Sequence, residues 1–118
     1  MEGCTMADTS EIKKEIREVV KKLALKFGAV FSVESIIPDG KRYHGVSGKE
    51  ICLFVCNNQL QEGKIKAGQR ASIFEKCYWL SLSECKQKLL VFTDKDFYNK
   101  FRNEYSAYLK EIKIELFN

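Results

Sequence analysis

Ile51-Cys52-Leu53-Phe54-Val55-Cys56 is a run of six apolar residues without a polar interruption. A strand with one face in water alternates apolar and polar residues. A strand covered on both faces does not, so this run predicts a central strand with structure packed on either side. Turn and loop sequence brackets it. Ser47-Gly48 precedes the run, and the polar, glycine-containing stretch from Asn57 to Gly68 follows it. The remaining elements are read outward from this strand.

Upstream, Lys41 to Val46 reads as a short polar strand. Ile37-Pro38-Asp39-Gly40 before it is a turn, with proline preset for the second position. Ala29 to Ile37 is β-branched and aromatic and predicts a further strand, so the two form a hairpin. Further back, Ile12, Ile16, Val19, Val20, Leu23 and Phe27 recur at helical spacing, with Lys13, Lys14, Arg17, Lys21 and Lys22 opposite. Asp8 and Glu11 resemble a capping box, and Gly28 stands where a helix stops, so the predicted helix covers Thr9 to Phe27. Residues 1–8 are expected to be a loose leader and 9–118 a single domain.

Downstream, a helix is predicted over Gln69 to Leu82, with Ile73, Phe74, Cys77, Tyr78 and Leu82 on one face. Lys88 to Thr93 is a second apolar strand. Asp94 caps a third helix carrying Phe97, Phe101, Tyr105, Tyr108 and Leu109 at helical spacing. Ile112, Ile114 and Leu116 alternate with Lys113 and Glu115, a half-buried last strand. The order αβββαβαβ predicts an α/β fold. An antiparallel meander and a parallel strand–helix–strand passage share one mixed sheet, with helices against its faces.

The length of 118 residues suits one domain, and 45% hydrophobic residues suffice for a core. No stretch reads as a secretory signal or a membrane span, and a cytoplasmic location is expected. The five cysteines have no framework spacing and read as free thiols, mostly buried. Cys52 and Cys56 point to one face of their strand but about 13 Å apart, too far to share a metal. Cys4, in the leader, is expected to label first with a thiol reagent. His44 is the only histidine, and no serine nucleophile pattern or glycine-rich phosphate loop occurs, which argues against a histidine-based hydrolase.

The net charge is +4, and between Pro38 and Lys76 seven basic residues face four acidic ones, leaving 13 against 12 elsewhere. A surface that attracts phosphate would be built in the middle third, from Lys41, Arg42 and His44 on the hairpin and Lys64, Lys66 and Arg70 leading into the second helix. Tyr43 and Trp79 offer aromatic faces for bases. DNA or RNA is the expected partner on this reading. The plainer reading of the same residues is a solvated charged rim.

The element order, with Pro38-Asp39 before the second strand and Glu62-Gly63-Lys64 beyond the third, resembles the restriction-endonuclease-like nucleases. Their motif is an aspartate opening the second strand, then an acid and a lysine on the third. The resemblance implies Asp39 and Glu62 as ligands of Mg²⁺, Lys64 as the group that orients the attacking water, and Glu18 or Glu34 as a further carboxylate. The chain departs from the pattern in one respect: Ile51 to Cys56 holds no acid–lysine pair, and Glu62 to Lys64 follows in loop sequence. Either the strand boundary differs or this is a relative without catalysis. On the plainest reading, Pro38-Asp39-Gly40 is a hairpin turn and Glu62 a solvated loop residue. The rival class is a non-enzymatic interaction module, a homodimer associating through its aromatic third helix or a sheet edge.

Overall fold

The computed structural model describes residues 2–117, with side chains from residue 14 onward. The central strand forms as the apolar run predicts: Ile51–Cys56, here β3, is buried at every position. On one side it pairs antiparallel with β2 (Tyr43–Ser47), in the register Gly45 opposite Leu53 and Ser47 opposite Ile51. On the other it pairs parallel with β4 (Gln87–Phe92). The edges of the five-stranded sheet are β1 (Ser32–Glu34), antiparallel to β2, and β5 (Lys113–Leu116), parallel to β4. The strand order is β1-β2-β3-β4-β5. The fold is thus the mixed α/β sheet expected from the pattern αβββαβαβ.

Three helices cover the two faces. α1 (Glu2–Phe27) lies on one face, where Ile16, Val19, Val20, Leu23 and Phe27 pack with Leu53, Val55, Leu89 and Val91. α2 (Ala67–Leu82) and α3 (Lys95–Tyr105) cover the other face, where Ile73, Cys77, Leu80, Phe97 and Phe101 meet Cys52, Phe54, Cys56, Leu90 and Phe92. Successive residues of β3 and β4 therefore feed alternate cores, which is why these strands carry no polar residue in their buried spans. Both crossovers step the same way along the sheet, and a shared hand puts α2 and α3 on one side. Asp94 caps α3 as expected, its Oδ2 accepting from Phe97 N–H at 2.9 Å. No helix among the described residues is long and apolar enough to cross a membrane.

Several boundaries differ from expectation. α1 begins at Glu2, not at the Asp8 capping box; the side chains of Asp8 and Glu11, like that of Cys4, lie outside the described residues. The first strand shrinks from Ala29–Ile37 to three exposed residues. Ser35 Oγ donates to the carbonyls of Ile37 and Gly40, both at 3.0 Å, and so folds the chain into the turn instead of extending the ladder. On α2 the buried stripe is Ile73, Cys77 and Leu80, while Tyr78 and Leu82 face solvent.

The aromatic side of α3 is largely spent on the core. Phe97 and Phe101 are fully buried, and the Tyr105 ring lies 5.0 Å from both Phe74 and Phe101. Tyr108, in the 3₁₀ turn Ser106–Tyr108, is the member of the set that faces water.

Cys52, Cys56, Cys77 and Cys85 are free and buried. Burial pushes the thiols of Cys52, Cys56 and Cys77 up to about 12, so no useful thiolate exists near neutrality. These three are expected to stay unlabelled by a thiol reagent at pH 8 until denaturant unfolds the chain. Labelling of any of them at the rate of a free thiol in the native protein would contradict the packing described.

Candidate anion-binding hollow at the start of β2

The antiparallel ladder between β2 and β3 sets the start of β2 beside the end of β3. Near that point the β1–β2 register breaks: Ser32 pairs with Val46, but Glu34 pairs with Tyr43. Two residues, His44 and Gly45, therefore stand opposite Val33 alone, a bulge on β2. Gly45 fits the crowding there, since a Cβ would lie 3.2 Å from both Phe31 Cγ and Leu53 Cγ and would press on those side chains. The bulge turns the His44 ring toward β3, where Nδ1 accepts the Val55 N–H at 2.8 Å. A side chain thus takes a backbone donor that a regular ladder would have paired with a carbonyl.

That hydrogen bond fixes the histidine's state. With Nδ1 as acceptor, the proton of the neutral ring sits on Nε2. Burial, reinforced by the charges of Lys76 and Lys41, holds the His44 pKa down to about 4. At neutral pH His44 is therefore an uncharged donor. It lines a hollow of about 450 Å³ with Arg17 and Ile16 of α1, Val33 of β1, and Lys41 and Arg42. Among the described residues, no carboxylate belongs to this lining. Lys41 also reaches Glu75 of α2, at 3.7 Å. Asn57, just past β3, donates to Glu15 of α1 at 3.3 Å, so this part of α1 lies at the carboxyl ends of the parallel strands. Open α/β sheets commonly bind ligands at that end.

The other expected site residues fall elsewhere. Asp39 occupies the third position of a turn closed by Gly40 N–H to the Ile37 carbonyl at 2.8 Å, with φ 59°. Its neighbour Pro38 lines a separate hollow with Gly48, Lys49, Ser83 and Glu84, at the amino end of β3 and the carboxyl end of α2. Glu62 and Gly63, with φ 56° and 73°, form the tip of a tight turn in which Gln61 and Lys64 exchange both backbone hydrogen bonds, at 2.9 and 3.0 Å. This is a two-residue hairpin turn of the kind that demands positive φ at both central positions. Glu62 pairs with Lys66 at 3.2 Å, at the amino end of α2. Asp39 and Glu62 thus stand toward opposite ends of a helix that spans about 24 Å, at about 1.5 Å per residue.

Lys64 projects from the tight turn, Lys66 caps α2 and Arg70 lies in its first turn; none of the three lines the hollow with Lys41 and Arg42. Glu18 pairs with Lys21 at 3.9 Å, and Glu34 accepts from Ser32 on β1. Neither joins Asp39 or Glu62 in a ligand set, and no group of three or more His, Cys, Asp or Glu side chains among the described residues could hold a metal ion. A magnesium ion needs converging hard oxygens, which β3, wholly apolar, does not supply. The residues do not fit a shared Mg²⁺.

Tyr43 is also not free to stack on a base. It is fully buried, stacked on Phe54 at 5.0 Å, and its hydroxyl donates to the Trp79 carbonyl. Arg17 and the bulged geometry of His44 were not foreseen from sequence. Arg17 reads there as one of several solvent-facing cations on α1, and only the register break sets the orientation of His44. The chain matches no family model, and neither the curated proteins nor the solved structures contain a significant match to it.

The depressed His44 pKa carries a stability consequence. The unfolded ring titrates near 6.5 and the folded ring near 4, so between these values the unfolded chain binds more protons. Stability from this group is complete above pH 6.5 and is lost as pH falls toward 4, by at most about 3 kcal/mol. Urea unfolding of wild type and His44→Gln across pH 7.5 to 4.5 checks it. The wild type is expected to lose more stability than the variant. Parallel curves would refute the assignment.

Proposed function

We propose that the protein is a nucleic-acid-associated domain, a relative of the restriction-endonuclease-like fold that binds phosphate without cutting it. One observation carries this reading: Arg17, Lys41, Arg42 and His44 line a single hollow that, among the described residues, has no carboxylate in its lining. Cationic side chains around a concave surface focus a positive field, and guanidinium groups match phosphate oxygens in geometry. Lys64, Lys66 and Arg70 add basic charge at the start of α2, on the same middle third of the chain. Catalysis of the kind the resemblance implies needs an acid and a lysine on β3. The six side chains there are apolar or thiol and face the two cores.

Oligonucleotide binding tests this directly. Affinity is expected to fall steeply with salt, as neutralised phosphates release counterions. The triple variant with Arg17, Lys41 and Arg42 all changed to alanine should flatten the log–log salt slope by about two to three, close to one per lost contact. Stability should change little, because all three are surface side chains. Adding Mg²⁺ or Mn²⁺ should produce no cleavage. Asp39→Asn and Glu62→Asn should leave binding intact and the fold at least as stable, since asparagine tolerates their positive φ better. Metal-dependent cleavage abolished by Asp39→Asn would overturn the non-catalytic reading. Absence of any salt-sensitive binding would remove the nucleic-acid reading itself.

A further inference from the structure

We propose that the hollow beside His44 takes the terminal phosphomonoester of a nucleotide, in preference to a phosphodiester within a strand. The inference rests on the phosphate-binding reading and narrows it to a ligand class.

Charge favours a dianion. Arg17, Lys41 and Arg42 line the hollow, and Glu75 offsets part of the Lys41 charge from 3.7 Å. Among the described residues, what remains is close to two positive charges with no lining carboxylate. A phosphodiester carries one negative charge, whereas a phosphomonoester at neutral pH carries nearly two. The dianion is the better match, and it is neutralised by side chains alone.

The donor set points the same way. The two guanidinium groups present forked N–H donors, and His44 adds a neutral one, its tautomer fixed by the 2.8 Å bond from Val55 N–H to Nδ1. A diester offers two unesterified oxygens, and a monoester offers three. A third donor direction therefore suits the latter better. Size agrees. A hollow of about 450 Å³ lies in the range that encloses a small ligand, and Ile16 and Val33 supply apolar wall against which a sugar or base can rest.

The charged and titratable groups around His44 are Arg17 from α1, Lys41 and Arg42 before β2, Lys76 and Glu75 from α2, and Glu34 from β1. Burial first, and then the cations of this set, keep His44 neutral above pH 5, so it does not itself drive a pH effect there. The ligand does. Its second proton leaves near pH 6, so affinity should rise from pH 5 to 7.5. A protonated histidine at the site would give the reverse trend.

The test is fluorescence anisotropy with oligonucleotides identical except for a 5′-phosphate, a 3′-phosphate or hydroxyl ends, with a nucleoside monophosphate and inorganic phosphate as competitors. One phosphorylated end is expected to bind about 10- to 100-fold tighter than the hydroxyl form at pH 7.5, the range for one to two charge-assisted hydrogen bonds. Arg42→Ala and His44→Leu should each reduce that preference. His44→Gln, whose amide can both accept from Val55 and donate outward, should retain much of it and serves as the control for folding. Competition by the nucleoside monophosphate supports the same chemistry. If that monophosphate binds while no oligonucleotide does, the phosphomonoester proposal stands and the nucleic-acid reading falls. Salt-sensitive binding that ignores the phosphorylation state of the ends overturns the proposal and leaves the broader reading intact. No binding of any of these ligands sinks both.

Discussion

Double-sided burial of β3 is the constraint on which the rest of the structure depends. From Ile51 to Cys56 no residue is more than 6% exposed, and both edges of the strand are hydrogen-bonded. An unpaired charge placed in such a position costs several kcal/mol or more, so the strand cannot carry an ionised acid or a lysine while it holds the two cores apart. The sheet therefore has to place its polar chemistry beyond the strand ends or along an edge. Helix placement follows from the same strand, because its alternating residues need one apolar partner surface on each side. α1 supplies the first, and α2 with α3 the second.

The edge beside β2 is where this architecture loosens. β1 is three residues long, its pairing slips at the bulge, and its members are all exposed. A short, bulged edge strand bearing a charged residue is a poor template for another chain's strand, so the edge is better suited to a small ligand than to sheet extension. The bulge also accounts for His44. Without the extra residue its side chain would follow the ordinary alternation of β2, and the Val55 N–H would need another acceptor. The hydrogen bond stabilises both the strand end and the neutral imidazole, so one local irregularity sets geometry and protonation together.

The fold was legible because its decisive signals are local and strong. The apolar run at Ile51, the Asp94 cap and the alternation from Ile112 to Leu116 each depend on a few neighbouring residues, and the structure follows all three. The missed boundary at Ala29–Ile37 has a different cause. β-propensity measures fit to a packed surface, and Val30 finds none, being 86% exposed. The site was less legible still. Lys41 and Arg42 were readable as basic residues near a turn, but their company was not. Arg17 arrives from α1 through tertiary packing, and the orientation of His44 depends on a register slip that no sequence spacing records. Asp39 and Glu62 are the opposite case. Each sits in a motif-like string, and in each case the backbone uses the residue at a positive φ in a turn.

The sign of the hollow gives the last step. A pair of carboxylates creates a negative field that gathers divalent cations and repels phosphate until the metal is bound. Here the arrangement is inverted: cations gather at the hollow, and their mutual repulsion is relieved only in part, by Glu75 and by solvent. An Mg²⁺ ion approaching this lining meets like charge, whereas an anion replaces repulsion with attraction. Anything that binds the folded chain and not the unfolded one stabilises it in proportion to the logarithm of ligand concentration over Kd. On the proposed reading, the cationic hollow is a mild electrostatic liability in the free protein that an anion of matching charge would turn into a stabilising contact. His44, neutral and already anchored to β3, would add a donor to such an anion without adding to the repulsion.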